Sequence, residues 1–245
     1  MGIVWLIVAL IILAWLGRSL YLVRGAITAN RSARASLTPF NRIPKTAVHH
    51  VLVLGDSTMF GSGAKNRAYT MGGQLGSLFP KASIETLAVS GTRVAGVAQQ
   101  FEAAKYPHYE LVVVGVGGND AVFLSNYRTL EQDLRKFLSE LQPRANTIIL
   151  MHCVNLGDTG FFLWPLSWFF DYRTRKLSQL YTKIARDFQR VQYVNFYRPR
   201  RHDYYTNATR ARFIADDKFH PSDYANRYFF DEMRTEVGLD KDFLK

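Results

Sequence analysis

Five apolar, β-rich runs alternate along this chain with segments whose apolar positions recur at helical spacing. In Val51-Leu52-Val53-Leu54 and Leu111-Val112-Val113-Val114 consecutive positions are apolar, not alternate ones. That is the pattern of strands buried on both faces, as in a parallel sheet covered by helices. Strands are predicted near 50–55, 83–89, 110–116, 146–153 and 191–196, and helices near 68–79, 94–105, 127–141, 173–189 and 223–237. Pro80, Pro107 and Pro143 fall in the connections, where chain breakers belong. The alternation predicts an α/β fold: a three-layer αβα sandwich around a flavodoxin-like parallel sheet of about five strands joined by right-handed helical crossovers. No internal repeat or low-complexity tract is present.

The N-terminus has a different pattern. Every residue from Ile3 to Leu16 is apolar, Arg18 is the first charge, and Leu20 to Val23 extend the apolar character to Arg24. Residues 1–24 therefore read as a hydrophobic membrane-anchor helix, although the uninterrupted run is short against the roughly 20 residues of a perpendicular span. A cleaved signal peptide is the alternative. The stretch before the run lacks Lys and Arg, and the only Ala-x-Ala near it, Ala33-Arg34-Ala35, lies well past its end. Residues 25–47, with Pro39 and Pro44, read as a polar basic linker, and 48–245 as the folded domain. With Arg18, Arg24, Arg31 and Arg34 all after the run, the positive-inside rule puts the domain on the cytoplasmic face. A cleaved signal would put it in the periplasm or outside the cell.

Composition adds little to the fold but narrows the partners. The formal net charge is +11, which favours an anionic lipid surface. Nucleic acid could be attracted by the same charge, but the Lys and Arg are spread along the chain and no nucleic-acid motif appears, so none is expected as a partner. The single cysteine, Cys153, excludes an intramolecular disulfide and reads as a buried thiol.

Candidate chemistry lies at strand ends. Gly55-Asp56-Ser57 follows the first buried run, Gly117-Gly118-Asn119-Asp120 follows the third, and Asp217-Lys218-Phe219-His220 stands near the C-terminus. Serine, histidine and carboxylate are the parts of an activated nucleophile, and an Asn can donate to an oxyanion. Gly55-Asp56-Ser57 alone is as well read as a strand-ending turn, Asn119 as a loop cap and His220 as a strand-exit residue, and Ser222 with Asp223 reads as the cap of a following helix. Their co-occurrence in order, at the carboxyl ends of strands, favours one catalytic site. His49, His50, His108, His152 and His202 have no metal-ligand spacing and read as ordinary surface or core residues.

On these motifs the chain resembles the SGNH hydrolases of the GDSL esterase/lipase superfamily over about residues 48 to 237. The resemblance implies Ser57 as nucleophile, His220 as general base and Asp217 as its orienting acid. It also implies an oxyanion hole formed by the backbone N–H of Ser57, the N–H of Gly91 in the turn Val89-Ser90-Gly91-Thr92, and the side chain of Asn119. Two departures, Thr58 in place of a common Leu and the absence of an Asn in Thr86-Leu87-Ala88, touch no reacting group and bear on substrate preference. The implied activity is hydrolysis of small-molecule or lipid carboxylic esters with no metal or organic cofactor. The alternatives are a carbohydrate O-acetyl esterase or acyltransferase, and a membrane-tethered binding module without turnover. The stretch Phe161 to Phe170, with Trp164 and Trp168, reads either as core packing or as an apolar flap that sets acyl preference or meets the membrane interface.

Overall fold

A computed structural model describes residues 2–7, 9–18, 21, 38–200, 209–217 and 219–244. Strands β1 (His50–Gly55), β2 (Ser83–Thr86), β3 (Tyr109–Gly115), β4 (Ala145–Met151) and β5 (Val191–Val194) form one sheet in the order β2-β1-β3-β4-β5. Every neighbouring pair is parallel, so the doubly wound arrangement read from the sequence is the observed one. The middle strands are almost wholly buried because both faces are covered. One core layer joins Leu52, Leu54, Val112 and Val114 to helices Val94–Glu102, Tyr127–Leu141 and Leu166–Ala185. The other joins Val51, Val53, Leu111 and Val113 to helices Met71–Leu78 and Asp223–Glu236. Alternate residues of each strand thus feed opposite layers, as the two-residue period of a strand requires.

Several element boundaries differ from expectation. β2 ends at Thr86, but Leu87 N–H still donates to Val53 O (2.9 Å) and Val89 N–H to Gly55 O (3.0 Å), so the chain stays on the edge of β1 to 89. The helix expected from 173 starts at Leu166, just after Pro165. Short helices Ser57–Phe60, Gly118–Val122 and Arg210–Phe213 had no periodic signature and are too short to need one.

Part of the segment read as linker lies against the sheet. Arg42 pairs with Ile84 as an antiparallel bridge (N–H to O 2.9 Å, and 2.7 Å in return), and its guanidinium donates to Gly76 O at 2.9 Å and to Ala82 O at 3.2 Å. This covers the outer edge of β2, which would otherwise present unpaired backbone groups. Residues 25–37 lie outside the described residues.

The expected membrane anchor is not supported. Residues 2–7 and 9–18 are helical with apolar side chains exposed, but among the described residues no helix is long and apolar enough to cross a membrane. The described helix is shorter than the roughly 20 residues a span requires.

At the carboxyl edge of the sheet, Gly55 and Gly115 sit opposite each other in register. Gly55 has φ +136°, and a Cβ there would lie 1.9 Å from Gly115 O. Gly55→Ala combines a backbone conformation reserved for glycine with a clash against main chain that cannot rotate away. It is expected to lower unfolding free energy by at least about 2 kcal/mol in denaturant titration; a change within about 0.5 kcal/mol, the range of an ordinary surface substitution, would show that the two strand ends can separate freely.

Candidate active site

Three turns and a C-terminal loop converge at that carboxyl edge. Ser57 is the first residue of the helix Ser57–Phe60, whose cap is Asp56: its Oδ1 accepts from Thr58 N–H at 2.9 Å. Asn119 lies in the helix Gly118–Val122, which leaves β3 through Gly117. Gly91 (φ +91°) forms the exposed turn after β2.

The C-terminal loop is shaped by its own hydrogen bonds. Asp217 Oδ1 accepts from the N–H groups of Phe219 and His220, each at 2.9 Å, which curls the chain into an Asx-type turn. Ala215 N–H donates to His220 O (2.8 Å) and Ser222 N–H to Phe213 O (2.9 Å), closing the loop at its base. Ser222 then caps the helix Asp223–Glu236 by accepting from Ala225 N–H at 3.2 Å, as its sequence context suggested. Gly63 (φ +87°) lets the facing loop approach this turn, since a Cβ there would lie 2.7 Å from His220 Cβ.

The result is a continuous relay. Asp217 Oδ2 lies 2.5 Å from His220 Nδ1, and His220 Nε2 lies 3.0 Å from Ser57 Oγ. Ser57 and His220 are 8% and 3% exposed. Burial raises the Asp217 carboxyl, but hydrogen bonds from the His220 side chain and from the backbone of His220 and Phe219, with the charge of the imidazole, outweigh it. The net effect holds Asp217 below the usual carboxylate value, so it stays ionised beside the ring.

The other two sequence-predicted residues are positioned differently. Asn119 lines the same cavity as Ser57 and His220, and its Nδ2 donates to Thr92 O at 3.0 Å. An amide nitrogen carries two donors, so this bond leaves one N–H for another acceptor. Gly91 does not line the cavity; it joins the site through the turn to which Asn119 is bonded.

Gln100 was not found from sequence. Its buried side chain accepts from Gly55 N–H (2.8 Å) and donates to Gly55 O (2.9 Å) and Thr92 Oγ1 (2.9 Å). It therefore fixes the turn that carries Ser57 to the turn that carries Gly91. Asp120 adds a second tie, accepting from Val94 N–H at 3.0 Å. The only hint in the sequence is a Gln bordering the apolar face of Val94, Val97 and Phe101, which is indistinguishable from a solvated position.

Other titratable groups at the site are not reactive. Loss of solvent around Cys153, then the nearby Asp56 charge, raise its thiol far above the usual value, so it remains protonated. Burial lowers His152 to about 4; its ring lies 3.3 Å from Tyr193 OH and 3.4 Å from Thr174 O, in a neutral packing role. His50 stacks on Tyr106, and His108 bonds Asn146 at 2.8 Å, both away from the site. His202 is outside the described residues.

The aromatic stretch 161–170 divides between its two readings, and none of it lines the cavity. Phe161 and Phe170 are buried, with Phe161 edge-on to Phe219 at 5.0 Å. Trp164 and Trp168 are 70% and 64% exposed. Met59, Met71, Met151, Phe196, Phe213 and Phe229 are among the apolar residues that do line it. Trp164 and Trp168 are thus exposed and outside the cavity wall.

Comparison with known proteins agrees with this architecture. The fold is similar to phospholipase A1 from Streptomyces albidoflavus NA297 (16% identity, 78% of this chain and 100% of that one, TM-score 0.60). It is also similar to Axe2, an acetylxylan esterase from Geobacillus stearothermophilus (18% identity, 81% and 98%, TM-score 0.53), and to the esterase EstA from Pseudoalteromonas sp. (18% identity, 78% and 97%, TM-score 0.53). No curated protein matches the sequence. The model of the GDSL-like lipase/acylhydrolase family matches residues 53–228, from the end of β1 through the Ser57 turn, the Asn119 turn and the His220 loop, and the chain belongs to that family of ester-bond hydrolases.

Proposed function

We propose that the protein cleaves carboxylic esters through a covalent acyl-enzyme intermediate. The observation that carries this reading is the relay Asp217–His220–Ser57, with its hydrogen-bonding atoms 2.5 and 3.0 Å apart. Ser57 Oγ bonds to the ester carbonyl carbon while its proton passes to His220 Nε2. The tetrahedral intermediate collapses by breaking the bond to the alcohol oxygen, which takes the proton from Nε2. Water then repeats the two steps and releases the acid. Asp217 holds Nδ1–H and stabilises the imidazolium without taking its proton. The N–H groups of Ser57 and Gly91 and the remaining N–H of Asn119 serve the oxyanion, and Gln100 is the positioning residue that keeps two of those donors on fixed turns.

The same proposal extends to location. The exposed apolar side chains of the N-terminal helix, Ile3, Leu6, Leu10 and Leu13 among them, the bond from Trp15 Nε1 to Trp164 O at 3.1 Å and the exposed Trp168 support attachment of the domain to a membrane surface. The basic residues that follow the apolar run support a cytoplasmic-facing domain.

Ser57→Ala and His220→Ala are each expected to lower ester turnover by at least about 10³-fold with little change in thermal unfolding, because the members of such a relay act as a unit. Wild-type turnover by purified Ser57→Ala rules the mechanism out. Asn119→Ala is expected to lose about 10²–10³ in kcat with a much smaller change in KM. Gln100→Leu is expected to lose roughly tenfold or more, again in kcat, since it displaces donors without touching substrate. An effect of either substitution on melting temperature alone would make that residue purely structural. For location, C-terminal fusions to a reporter active only in the cytoplasm and to one active only after export should light up the first; activity of the export reporter alone reverses the assignment.

A further inference from the structure

The catalytic cavity has a mostly apolar lining. Asp56, Ser57, Asn119 and His220 line it together, and Met59, Met71, Met151, Phe196, Phe213 and Phe229 are among the apolar side chains of its wall. Five of these six are at least nine-tenths buried, and Phe229 packs edge-on to Phe196 at 5.0 Å. Met59, Met71, Met151, Phe196 and Phe229 belong to the core layer between the sheet and the helices Met71–Leu78 and Asp223–Glu236. The cavity is therefore a gap in the hydrophobic core that opens onto the nucleophile, not a groove on the surface.

Protein cores are normally packed to the density of organic crystals, and an unfilled apolar gap destabilises the fold in proportion to its volume. A gap of this kind is offset only if something apolar fills it during function. The wall also suits a chain of variable shape, because three of its residues are methionines, whose unbranched thioether side chains adapt to irregular contents. Of the polar residues in the wall, Asn226 turns its side chain to Pro221 O at 3.4 Å.

Which part of an ester enters follows from the order of bond breaking. The alcohol departs in the first half-reaction and needs an open path to solvent. The acyl group stays bonded to Ser57 until water arrives, and it is the part that an apolar cavity reaching into the core can hold without slowing turnover. We propose that this chamber binds the acyl chain of the substrate, and that the enzyme selects linear acyl chains longer than acetyl or butyryl. The proposal rests on the serine-esterase reading and sharpens it against acetylated sugars, which have no long chain to fill the chamber.

The test is the turnover of p-nitrophenyl acetate, butyrate, hexanoate, octanoate and laurate by the full-length protein, with fluorophosphonate labelling of Ser57 in parallel. kcat/KM is expected to rise from acetate to octanoate by up to about fourfold per methylene, the factor that corresponds to burying one CH₂. Val154→Trp, which inserts an indole from the half-buried loop after β4 where Val154 lines the cavity, should cut octanoate turnover at least tenfold more than acetate turnover. If that variant does not fold, Phe229→Ala lengthens the chamber and should move the optimum toward laurate. A flat or falling profile in labelled, active wild-type enzyme overturns the acyl chamber and leaves the esterase standing. The same holds for a series of alkyl acetates that shows the length dependence instead. Absence of both turnover and labelling overturns the esterase reading and the chamber with it.

Discussion

The site depends on how closely the ends of β1 and β3 approach each other. Where they pair at Gly55 and Gly115 there is no room for a side chain on either: a Cβ on Gly55 meets Gly115 O at 1.9 Å, and one on Gly115 meets the Met59 side chain at 2.7 Å. The nucleophile turn leaves from one of these strands and the Asn119 turn from the other, so the approach of the two backbones sets the distance between them. Met59 fills the space the missing side chains leave, and Met59 also lines the cavity. One steric constraint at a strand pair thus places Ser57, Asn119 and part of the cavity wall. Gln100 extends it to a third turn, because both hydrogen-bonding groups of Gly55 beyond the ladder are bonded to its amide. A buried amide satisfied on both ends is rigid, since releasing it leaves donors and acceptors unpaired out of water.

What could be read beforehand, and what could not, divides along physical lines. The central strands β1, β3 and β4 were legible because their stretches buried on both faces are apolar at consecutive positions. The helix Tyr127–Leu141 was legible to the residue because Leu130, Leu134, Phe137, Leu138 and Leu141 repeat at its period and Asn126 caps it. The start of Leu166–Ala185 was not, because between 161 and 170 nearly every residue is apolar and a run without polar positions has no period to find. The proximity of Ser57, Asn119 and His220 was legible because each stands in a short motif whose residue types suit one site, and the structure brings them to one cavity. Gln100 and Gly63 were not, since neither reacts and each acts on a partner far away in sequence. The chamber was invisible for a different reason. It is formed by what six side chains from separate elements fail to fill, and no local pattern records a gap.

The electrostatics of the buried end are balanced between carboxyls of opposite tendency. Burial raises Asp56 to about 6, against the lowering effects of the Thr58 N–H and the His220 charge, with the nearby Asp120 adding to the rise. Asp217 is depressed by its bonds to His220. Their linkage to stability therefore runs in opposite directions. The folded chain keeps a proton on Asp56 that the unfolded chain releases near 3.8; the stability this gives is complete below that pH and is lost as pH rises through about 6. The contribution of Asp217 is complete above its ordinary value and is lost as pH falls through its lowered one.

Above pH 6 the site therefore holds two ionised carboxylates near one imidazole, only one of them hydrogen-bonded to it. The other, Asp56, accepts from Thr58 N–H at 2.9 Å and caps the short helix that begins at Ser57, so one carboxylate fixes the serine turn while the other fixes the imidazole.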